Sequence, residues 1–546
     1  MAAPPHKTGF CLLLAPALLA AYAPLACASI EPLEERGLPA IGDALVTASI
    51  GEPSTLIPIL ASDSASADVC GLIFNGLVKY DVDLRLIGDL AERWEIREGG
   101  LEILFVLKKG IRWHDGELFT AQDVAFTYER LMDPAVPTPY RGDFEMVESL
   151  RVLDPWTVLV RYKEPFAPGL SSWGIGILPK HLLEKQDLVT TPFREHPVGT
   201  GPYRFLRWVR GERIELRANP DYFEGRPYVE YTIYRIIPDE STIFLELQVQ
   251  GVDQTSLTPL QFQRMTSTPR FTKAYQKFRY PSFGYTYLGY NLKDPKFQDV
   301  RVRQAINLAI DKQEIIRGVL LGLGEVSTGP FPRESWAYNP DVHPAPFDPQ
   351  RSRALLAQAG WRDTDGDGIL DHDGVPFEFT LLTNQGNLSR ELTAQIIQRR
   401  LKDVGIRMKI WILEWSAFLH EFIDKRRFEA VLLGWALSRE PDPFDIWHSS
   451  KTKEGEFNFI SYSNPRVDDL LKEGRRLFDV EARKKIYQEF HRILYEEQPV
   501  CFLYVSDALP VVHRRFQQVE VSPIGVGYNL IHWYVPASRQ RYRLSP

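Results

Sequence analysis

The sequence lacks the local motifs that mark many hydrolases and nucleotide-binding proteins. It has no G-x-S-x-G elbow and no phosphate-binding loop, and His420-Glu421 is not followed by the second histidine of a zinc motif. A glycoside hydrolase needs two carboxylates at a defined separation. The sequence has 71 acidic residues, and it does not indicate which two of them would lie at that separation. We therefore predict a protein that is not an enzyme, with a secreted glycoside hydrolase as the alternative.

Basic runs and internal repeats are also lacking. The formal net charge is −7, and no cluster of lysine and arginine forms a footprint for nucleic acid, so we expect no nucleic-acid partner. Without repeats, a solenoid scaffold is disfavoured. Nothing in the composition requires a cofactor.

Cysteine is scarce, with four residues in the whole chain. Cys11 and Cys27 lie in the N-terminal segment, which leaves Cys70 and Cys501. Cys501 stands in an apolar, strand-like segment, which favours a buried free thiol. A disulfide between Cys70 and Cys501 stays open as the alternative, because an oxidising compartment would permit it.

Long apolar runs are absent after the N-terminus, so we predict no membrane span in the remaining chain. The N-terminus itself carries two basic groups followed by the apolar stretch 10–23, as an export signal does, and we assign residues 1–28 to that signal. Cleavage after Ala28 would release a soluble protein. Alternatively, Cys27 becomes the lipid-modified first residue of a lipoprotein, which Ala26 favours and Pro24 does not.

One acidic segment is dense enough to need a cation or solvent to relieve the repulsion between its carboxylates. Its spacing follows the front half of a calcium loop, with Gly368 at the sharp turn, but Gly374 stands where the bidentate glutamate belongs. The candidate ligands are Asp363, Asp365, Asp367, Ile369 through its carbonyl, and Asp371. The alternative to a structural Ca²⁺ site is an empty hairpin tip.

Strand and helix patterns alternate through the rest of the chain. Strands are predicted at 101–107, 156–161 and 229–237, and helices at 300–320, 390–404, 467–477 and 481–497. Thr120 and Asp123 form a predicted capping box. This alternation indicates an α/β protein. The roughly 515 residues after the signal exceed what one core serves, so two or three lobes are expected.

Four blocks of sequence carry a family resemblance. In order they are 90–124, 197–222, 291–311 and the pair Gly434-Trp435 with Asp442-Pro443. Together they resemble the extracellular solute-binding proteins of ABC importers, family 5, which bind peptides and nickel. The resemblance extends from about residue 50 to 540. Each block alone also suits an ordinary turn, strand or helix cap, such as Asp299 before the helix at 300.

The resemblance implies a bilobed periplasmic-binding-protein fold of type II, with an extra third lobe and a hinge that closes on the solute. The first large lobe would combine residues 29–75, 195–283 and 515–546. The extra small lobe would cover 76–194, and the second large lobe 284–514. The acidic loop then falls in the second large lobe.

The implied function is to capture a peptide-like solute and deliver it to an ABC permease with its cytoplasmic ATPase. The protein would be a periplasmic or cell-surface monomer, held to the membrane only through a lipid on Cys27, if at all. An oligosaccharide or a metal chelate is the alternative solute.

The resemblance also suggests ligand-binding residues. In peptide-binding relatives an aspartate three residues after the tryptophan of the Gly-Trp motif holds the peptide amine, but Ser438 stands there, with Glu440 and Asp442 close by. A hydroxyl supplies no countercharge, so capture of a free amine is in doubt. The candidates are Tyr287, Asn291, Arg390, Trp435, Ala436, Ser438 and Asp442. Arg390 and Trp435 also have ordinary explanations, as a solvated helix residue and a core residue.

Overall fold

A computed structural model describes residues 37–523 and 525–542. The signal segment and Cys27 lie outside the described residues. The strands are β1 (Gly42–Ser49), β2 (Val78–Tyr80), β3 (Leu86–Gly88), β4 (Ala91–Arg97), β5 (Glu102–Leu107), β6 (Val147–Asp154), β7 (Thr157–Tyr162), β8 (Tyr203–Val209), β9 (Arg213–Ala218), β10 (Val229–Ile236), β11 (Gln254–Ser256), β12 (Tyr275–Lys277), β13 (Tyr280–Pro281), β14 (Gly284–Tyr290), β15 (Gly324–Val326), β16 (Asp371–His372), β17 (Val375–Pro376), β18 (Glu378–Asn384), β19 (Arg407–Leu413), β20 (Ala430–Ala436), β21 (Val500–Ala508) and β22 (Pro510–His513).

The predicted helices 390–404, 467–477 and 481–497 begin and end within two residues of those bounds. The helices of the described residues follow in chain order. They are α1 (Ser64–Ile73), α2 (Ala121–Met132), α3 (Lys180–Leu183), α4 (Glu240–Gln248), α5 (Pro269–Ala274), α6 (Pro295–Gln298), α7 (Val300–Ala309), α8 (Lys312–Gly318), α9 (Pro349–Gln358), α10 (Leu388–Lys402), α11 (Trp415–Ala417), α12 (Phe444–Trp447), α13 (Pro465–Arg476) and α14 (Val480–Glu497). The capping box of Thr120 and Asp123 is confirmed at the start of α2, and Asp299 caps α7 through Arg301 N.

The predicted helix 300–320 is two helices. Ile310 has extended dihedral angles, and the carboxylate of Asp311 accepts a hydrogen bond from Glu314 N, which caps α8. An aspartate side chain can accept a hydrogen bond from a backbone N–H group and so cap the start of a helix. An aspartate within a periodic apolar pattern can therefore mark the place where one helix ends and the next begins. Apolar periodicity did not reveal this break, because buried apolar residues continue from α7, with Ala305 and Ile306, into α8, with Ile315 and Ile316.

Three main sheets form within the described residues. A seven-stranded sheet has the order β12-β22-β11-β1-β10-β9-β8, with β1 parallel to β10 and β11. A second has the order β13-β21-β14-β20-β18-β19, with β15 added beside β21. The third is the antiparallel sheet β4-β5-β7-β6. Mixed sheets flanked by helices confirm the α/β class and the bilobed fold expected from the resemblance.

The central strands of the second sheet are buried on both faces. Leu288 and Tyr290 of β14 pack into one apolar cluster, and Tyr285 and Tyr287 into another on the opposite face. Successive side chains of a strand point to opposite faces, so an almost continuous apolar run is what a doubly covered strand requires. The ends of these strands can therefore hold a site on a rigid support.

The strands of the first sheet come from three separate stretches of chain, 42–49, 203–277 and 510–513. The four-stranded sheet lies between them in sequence, at 91–162, and the second large sheet uses 280–508. The exact lobe boundaries stay a prediction. From Pro39 the described chain forms one compact unit.

Two of the sequence blocks meet in space. His114 Nδ1 accepts a hydrogen bond from Gly199 N at 3.2 Å, and its Nε2 lies 3.0 Å from Gly201 O. A Cβ on Gly199 would stand 1.8 Å from Ile73 O, so only glycine permits this approach. These residues fix the fold and do not line the cavity described below.

Cys70 and Cys501 are free and buried. The buried thiol predicted for Cys501 is confirmed, and the alternative disulfide does not form. No helix among the described residues is both long enough and apolar enough to cross a bilayer.

Candidate functional site

A cavity of about 730 Å³ lies between the segment that begins α1, the region of the four-stranded sheet and the second large sheet. Its lining includes Asp63 before α1, Tyr80 and Asp143 from the region of the four-stranded sheet, and the ends of β14 and β20. This volume is in the range of pockets that enclose a small ligand. The contribution from all three regions means that relative movement of these regions would open or close the cavity.

Aromatic side chains form part of the wall. The ring of Phe457 lies 5.3 Å from that of Trp435 and 5.8 Å from that of Tyr140, both edge to face. On its other side Trp435 stacks on Phe459 at 5.8 Å. Such rings offer apolar surface with few rotatable bonds, which suits contact with varied side chains of a ligand.

Arg390 supplies a cation to the wall. It lies in the first turn of α10, which Asn387 caps through Arg390 N, and its guanidinium donates to Asn384 Oδ1 at 2.7 Å. In the described part of the chain this is the guanidinium's one hydrogen-bond acceptor, whereas a guanidinium has five N–H donors. Burial lowers the pKa of Arg390 from its ordinary value. An unpaired cation at a cavity wall is suited to receive an anionic group.

Acidic residues line another part of the cavity. Arg475, from α13, holds Asp442 through two contacts, Nε to Oδ1 at 2.8 Å and Nη2 to Oδ2 at 2.7 Å. Glu440 is paired with Arg483. Neither acid near position 438 is therefore free to replace the missing aspartate, because each already has a buried arginine partner.

Asp143 and Asp445 complete this acidic part of the wall. Burial is the largest cause that raises the pKa of both carboxyls, and the charge of Asp445 raises that of Asp143 further. Arg475 and Lys451 act in the opposite direction without cancelling the effect. Carboxylates held at raised pKa beside a cavity accept either a proton or a cationic group.

Six of the seven predicted ligand residues line the cavity. They are Tyr287, Arg390, Trp435, Ala436, Ser438 and Asp442. Ser438 is exposed, and its hydroxyl donates to Glu440 O at 2.5 Å. Asn291 is not among the lining residues, since its side chain donates to Phe428 O at 3.1 Å. It follows the far end of β14, whereas the cavity lies at the end that begins with Gly284.

Several lining residues had not been predicted from the sequence. They are Asp63, Tyr140, Asp143, Trp415, Asp445 and Phe457. Asp445 lies three residues after Asp442, so the acid-rich segment offered a local signal. Asp143 and Tyr140 come from a distant part of the chain, and no motif connects them to the cavity.

The acidic loop lies away from the cavity. One carboxylate oxygen from each of Asp363, Asp365 and Asp367 falls within 4.8 Å of the others, and all three residues are exposed. The Asp363 carboxylate accepts from Gly366 N at 2.7 Å, and that of Asp371 accepts from Thr364 N at 2.9 Å.

The oxygen donors of this loop are of the kind that Ca²⁺ prefers. Not all of them are free to bind such an ion. Asp371 accepts a hydrogen bond from Thr364, and Asp367 pairs with Arg407 at 3.2 Å. These contacts stabilise the hairpin tip without an ion, so the geometry is compatible with both alternatives stated above.

Comparison with known proteins reveals relatives along nearly the whole chain. Residues 85–457 match the family model described as "Bacterial extracellular solute-binding proteins, family 5 Middle". The oligopeptide-binding protein AppA of Bacillus subtilis (strain 168) is 35% identical over 517 residues, which cover 92% of this chain and 93% of AppA.

Two solved structures are similar throughout. AppA in complex with a nonapeptide superposes with a TM-score of 0.87 at 34% identity, covering 91% of this chain and 100% of that one. NikZ from Campylobacter jejuni, in complex with Ni(L-His), gives 0.82 at 29% identity and covers 90% and 99%.

Proposed function

The chain belongs to family 5 of the bacterial extracellular solute-binding proteins, and from this premise we propose that it captures peptides for an ABC importer. The cavity binds the peptide, the lobes close around it, and the closed form delivers it to the permease, which works with a cytoplasmic ATPase. Closure requires that the ligand favour the closed form over the open one. The protein would act as a monomer.

The observation that carries the proposal is the division of charge around the cavity. Arg390 offers a cation with free donors, and the acidic wall around Asp143 and Asp445 offers an excess of negative charge. A peptide is apolar and varied along its length and charged at its ends. The aromatic wall between Trp435 and Tyr140 suits its side chains.

The serine at position 438 bears on which peptides bind. Its hydroxyl is occupied by Glu440 O, and the neighbouring acids are paired with arginines, so a free amine finds no dedicated carboxylate there. This favours peptides whose amine is blocked or lies elsewhere in the cavity. The relative AppA was solved with a nonapeptide, which supports a peptide of several residues.

A metal chelate is the second candidate. NikZ, which is similar throughout the chain, was solved with Ni(L-His). The same missing aspartate that disfavours a free peptide amine is compatible with such a solute.

Mass spectrometry of solute that co-purifies with the native protein separates these candidates. We expect peptides, and we expect the recovered class to raise the melting temperature in a saturable way while remaining chemically intact. A nickel chelate or an oligosaccharide as the one bound class would replace the peptide assignment. Turnover of the solute would contradict a binding role.

Two further proposals concern export and stability. We propose that the protein is exported to the periplasm or the cell surface, with a lipid on Cys27 as its membrane anchor. Intact mass of the native protein distinguishes this from cleavage after Ala28. We also propose that the loop of Asp363, Asp365 and Asp367 binds a structural Ca²⁺, supported by the convergence of its carboxylates.

A further inference from the structure

Two parts of the molecule that are distant in sequence meet beside the cavity. Residues 141–145 lead into β6 of the four-stranded sheet, whereas Arg475 lies on α13 beside the second large sheet. The guanidinium of Arg475 donates to Gly142 O at 3.0 Å and lies 3.1 Å from Asp143 Oδ1. The arginine thus binds a backbone carbonyl and a carboxylate of the other region.

A second cation repeats this pattern. Lys451 Nζ lies 2.8 Å from Glu145 Oε1 and 3.7 Å from Asp445 Oδ1. The side chains of Lys451 and Arg475 are only 3% and 6% exposed. Both cations are therefore enclosed by the contact between the two regions, where an ion pair is less screened than at a surface.

Packing at this contact leaves no room for a side chain at position 142. A Cβ on Gly142 would stand 1.9 Å from Asp445 Oδ1 and 2.9 Å from the Lys451 side chain. Both of these groups belong to the other region. The glycine therefore permits this approach of residues 141–145, and a larger residue would have to displace the Asp445 carboxylate and the Lys451 side chain from the contact.

The contact holds more carboxylates than its cations can neutralise. Asp442 occupies Arg475 with two contacts, and Lys451 is shared between Glu145 and Asp445. Among the described residues, no hydrogen-bond donor reaches the buried Asp445 Oδ1. Asp143 and Asp445 thus come from different regions and both lie near Arg475 Nη2, at 3.1 Å and 4.0 Å.

We propose that residues 141–145 and the group Asp442, Asp445, Lys451 and Arg475 form a proton-dependent latch, in which the carboxyls of Asp143 and Asp445 take up a proton when the cleft closes. This rests on the proposed function, since it assumes that the lobes open and close. When they separate, each carboxylate returns to water, and the proton leaves.

The direction of the pH effect follows from linkage. With the two regions in contact, burial is the first cause that raises the pKa of Asp143 and Asp445, and for Asp143 the charge of Asp445 is the next. A raised pKa means that the closed form binds a proton which the open form releases. Closure is therefore favoured at low pH, and the advantage is lost as the pH rises through the raised pKa.

The other charged groups that face the pair are Asp442, Glu145, Arg475 and Lys451. Glu240 also lies at a contact between the large sheets, where its Oε2 accepts from Leu388 N at 3.0 Å, and burial raises its pKa to about 7. The contribution of Glu240 to the pH dependence of closure should be the same in the parent protein and in variants of the latch. A comparison between them isolates Asp143 and Asp445.

Small-angle X-ray scattering of the full chain without added solute tests the latch. We expect the radius of gyration of the parent protein to fall between pH 8 and pH 5.5. Each unit by which closure raises the pKa changes the closing equilibrium about tenfold.

Asp143→Asn mimics the protonated acid, because it keeps the shape of the side chain and removes its charge. We expect this variant to be compact already at pH 8 and to respond less to pH. Asp469→Asn removes the same charge from an exposed position on α13 and should behave like the parent protein.

Gly142→Ala provides a test that changes no charge. The added methyl group should hold residues 141–145 away, so the variant should stay expanded at both pH values. A radius that does not change with pH in the parent protein, or that changes equally in Asp143→Asn, would overturn the latch. Because no solute is used, failure to find a peptide ligand would count against the proposed function alone.

Discussion

At the scale of single residues, the cavity wall contains the guanidinium of Arg390, which has a single hydrogen-bond acceptor among the described residues, and several acidic residues. Arg390 is held in place by Asn384 and by the first turn of α10, so its position does not depend on a ligand. Asp442 and Glu440, in contrast, are occupied by buried arginines. The residues that look alike in sequence therefore differ in what they can offer to a solute.

The first prediction concerns Arg390. If it binds the peptide carboxylate, Arg390→Ala should weaken binding of a co-purified peptide by about 30- to 100-fold, or about 2–3 kcal/mol, because a partly buried charge pair loses one partner. Isothermal titration should show that the variant no longer distinguishes this peptide from its C-terminal amide. Arg399→Ala, on the exposed part of the same helix, is the matched control. If Arg390→Ala distinguished the peptide from its C-terminal amide as well as Arg399→Ala does, this role would be contradicted.

The second prediction concerns Ser438. Ser438→Asp restores a carboxylate at the cavity wall, so peptides with a free amine should bind more tightly than their N-acetyl forms, by about tenfold. Ser171→Asp places the same charge at another lining position and controls for general attraction. If only the control variant, or neither variant, gains this preference, the inferred amine position is wrong.

At the scale of elements, the hairpin tip around Asp365 is stabilised by backbone N–H groups that donate to the carboxylates of Asp363 and Asp365. Such a tip can fold without an ion, yet three converging carboxylates repel each other. An ion would therefore add stability to a loop that is already formed, rather than being required for folding.

The calcium prediction follows from this. At calcium about tenfold above its dissociation constant, the parent protein should gain about 1.4 kcal/mol of unfolding free energy. Asp365→Ala and Asp367→Ala should abolish the gain, measured by thermal or urea unfolding. Asp469→Ala lies outside the loop and should retain it. Equal stability of the parent protein with and without calcium would contradict a structural Ca²⁺ site in this loop.

At the scale of the whole molecule, buried histidines connect distant segments and limit stability in acid. His491 on α14 accepts from Asn339 N through Nδ1 at 3.2 Å and contacts Thr328 Oγ1 through Nε2 at 3.1 Å. Burial is the main cause that lowers its pKa to about 4. Protonation would place a hydrogen on Nδ1, where a backbone N–H already points.

The resulting prediction is a loss of stability in acid. The unfolded chain binds the proton near pH 6.5 and the folded chain only near pH 4, so His491 should cost about 3 kcal/mol as the pH falls through this window. Urea unfolding of His491→Gln should show a flatter pH dependence over this range. His343→Gln, at an exposed position, is the control. An unchanged pH profile in His491→Gln would contradict the assignment.

The sequence by itself determined the family, several of the helices and strands, and six of the seven ligand candidates that line the cavity. Local signals sufficed for this: the capping box at Thr120, the strand pattern at 101–107 and the Gly434-Trp435 segment depend on residues that are neighbours in the chain. The interactions behind these signals act between residues close in sequence, so they can be recognised without the tertiary structure.

Only the tertiary structure decided which charges are free. Asn291 is excluded from the cavity because it lies at the wrong end of its strand. Asp442 is neutralised by Arg475, and Asp143 is brought to Asp445 across some three hundred residues of chain. Charge pairing depends on distance in space and on burial, and neither can be read from separation along the sequence.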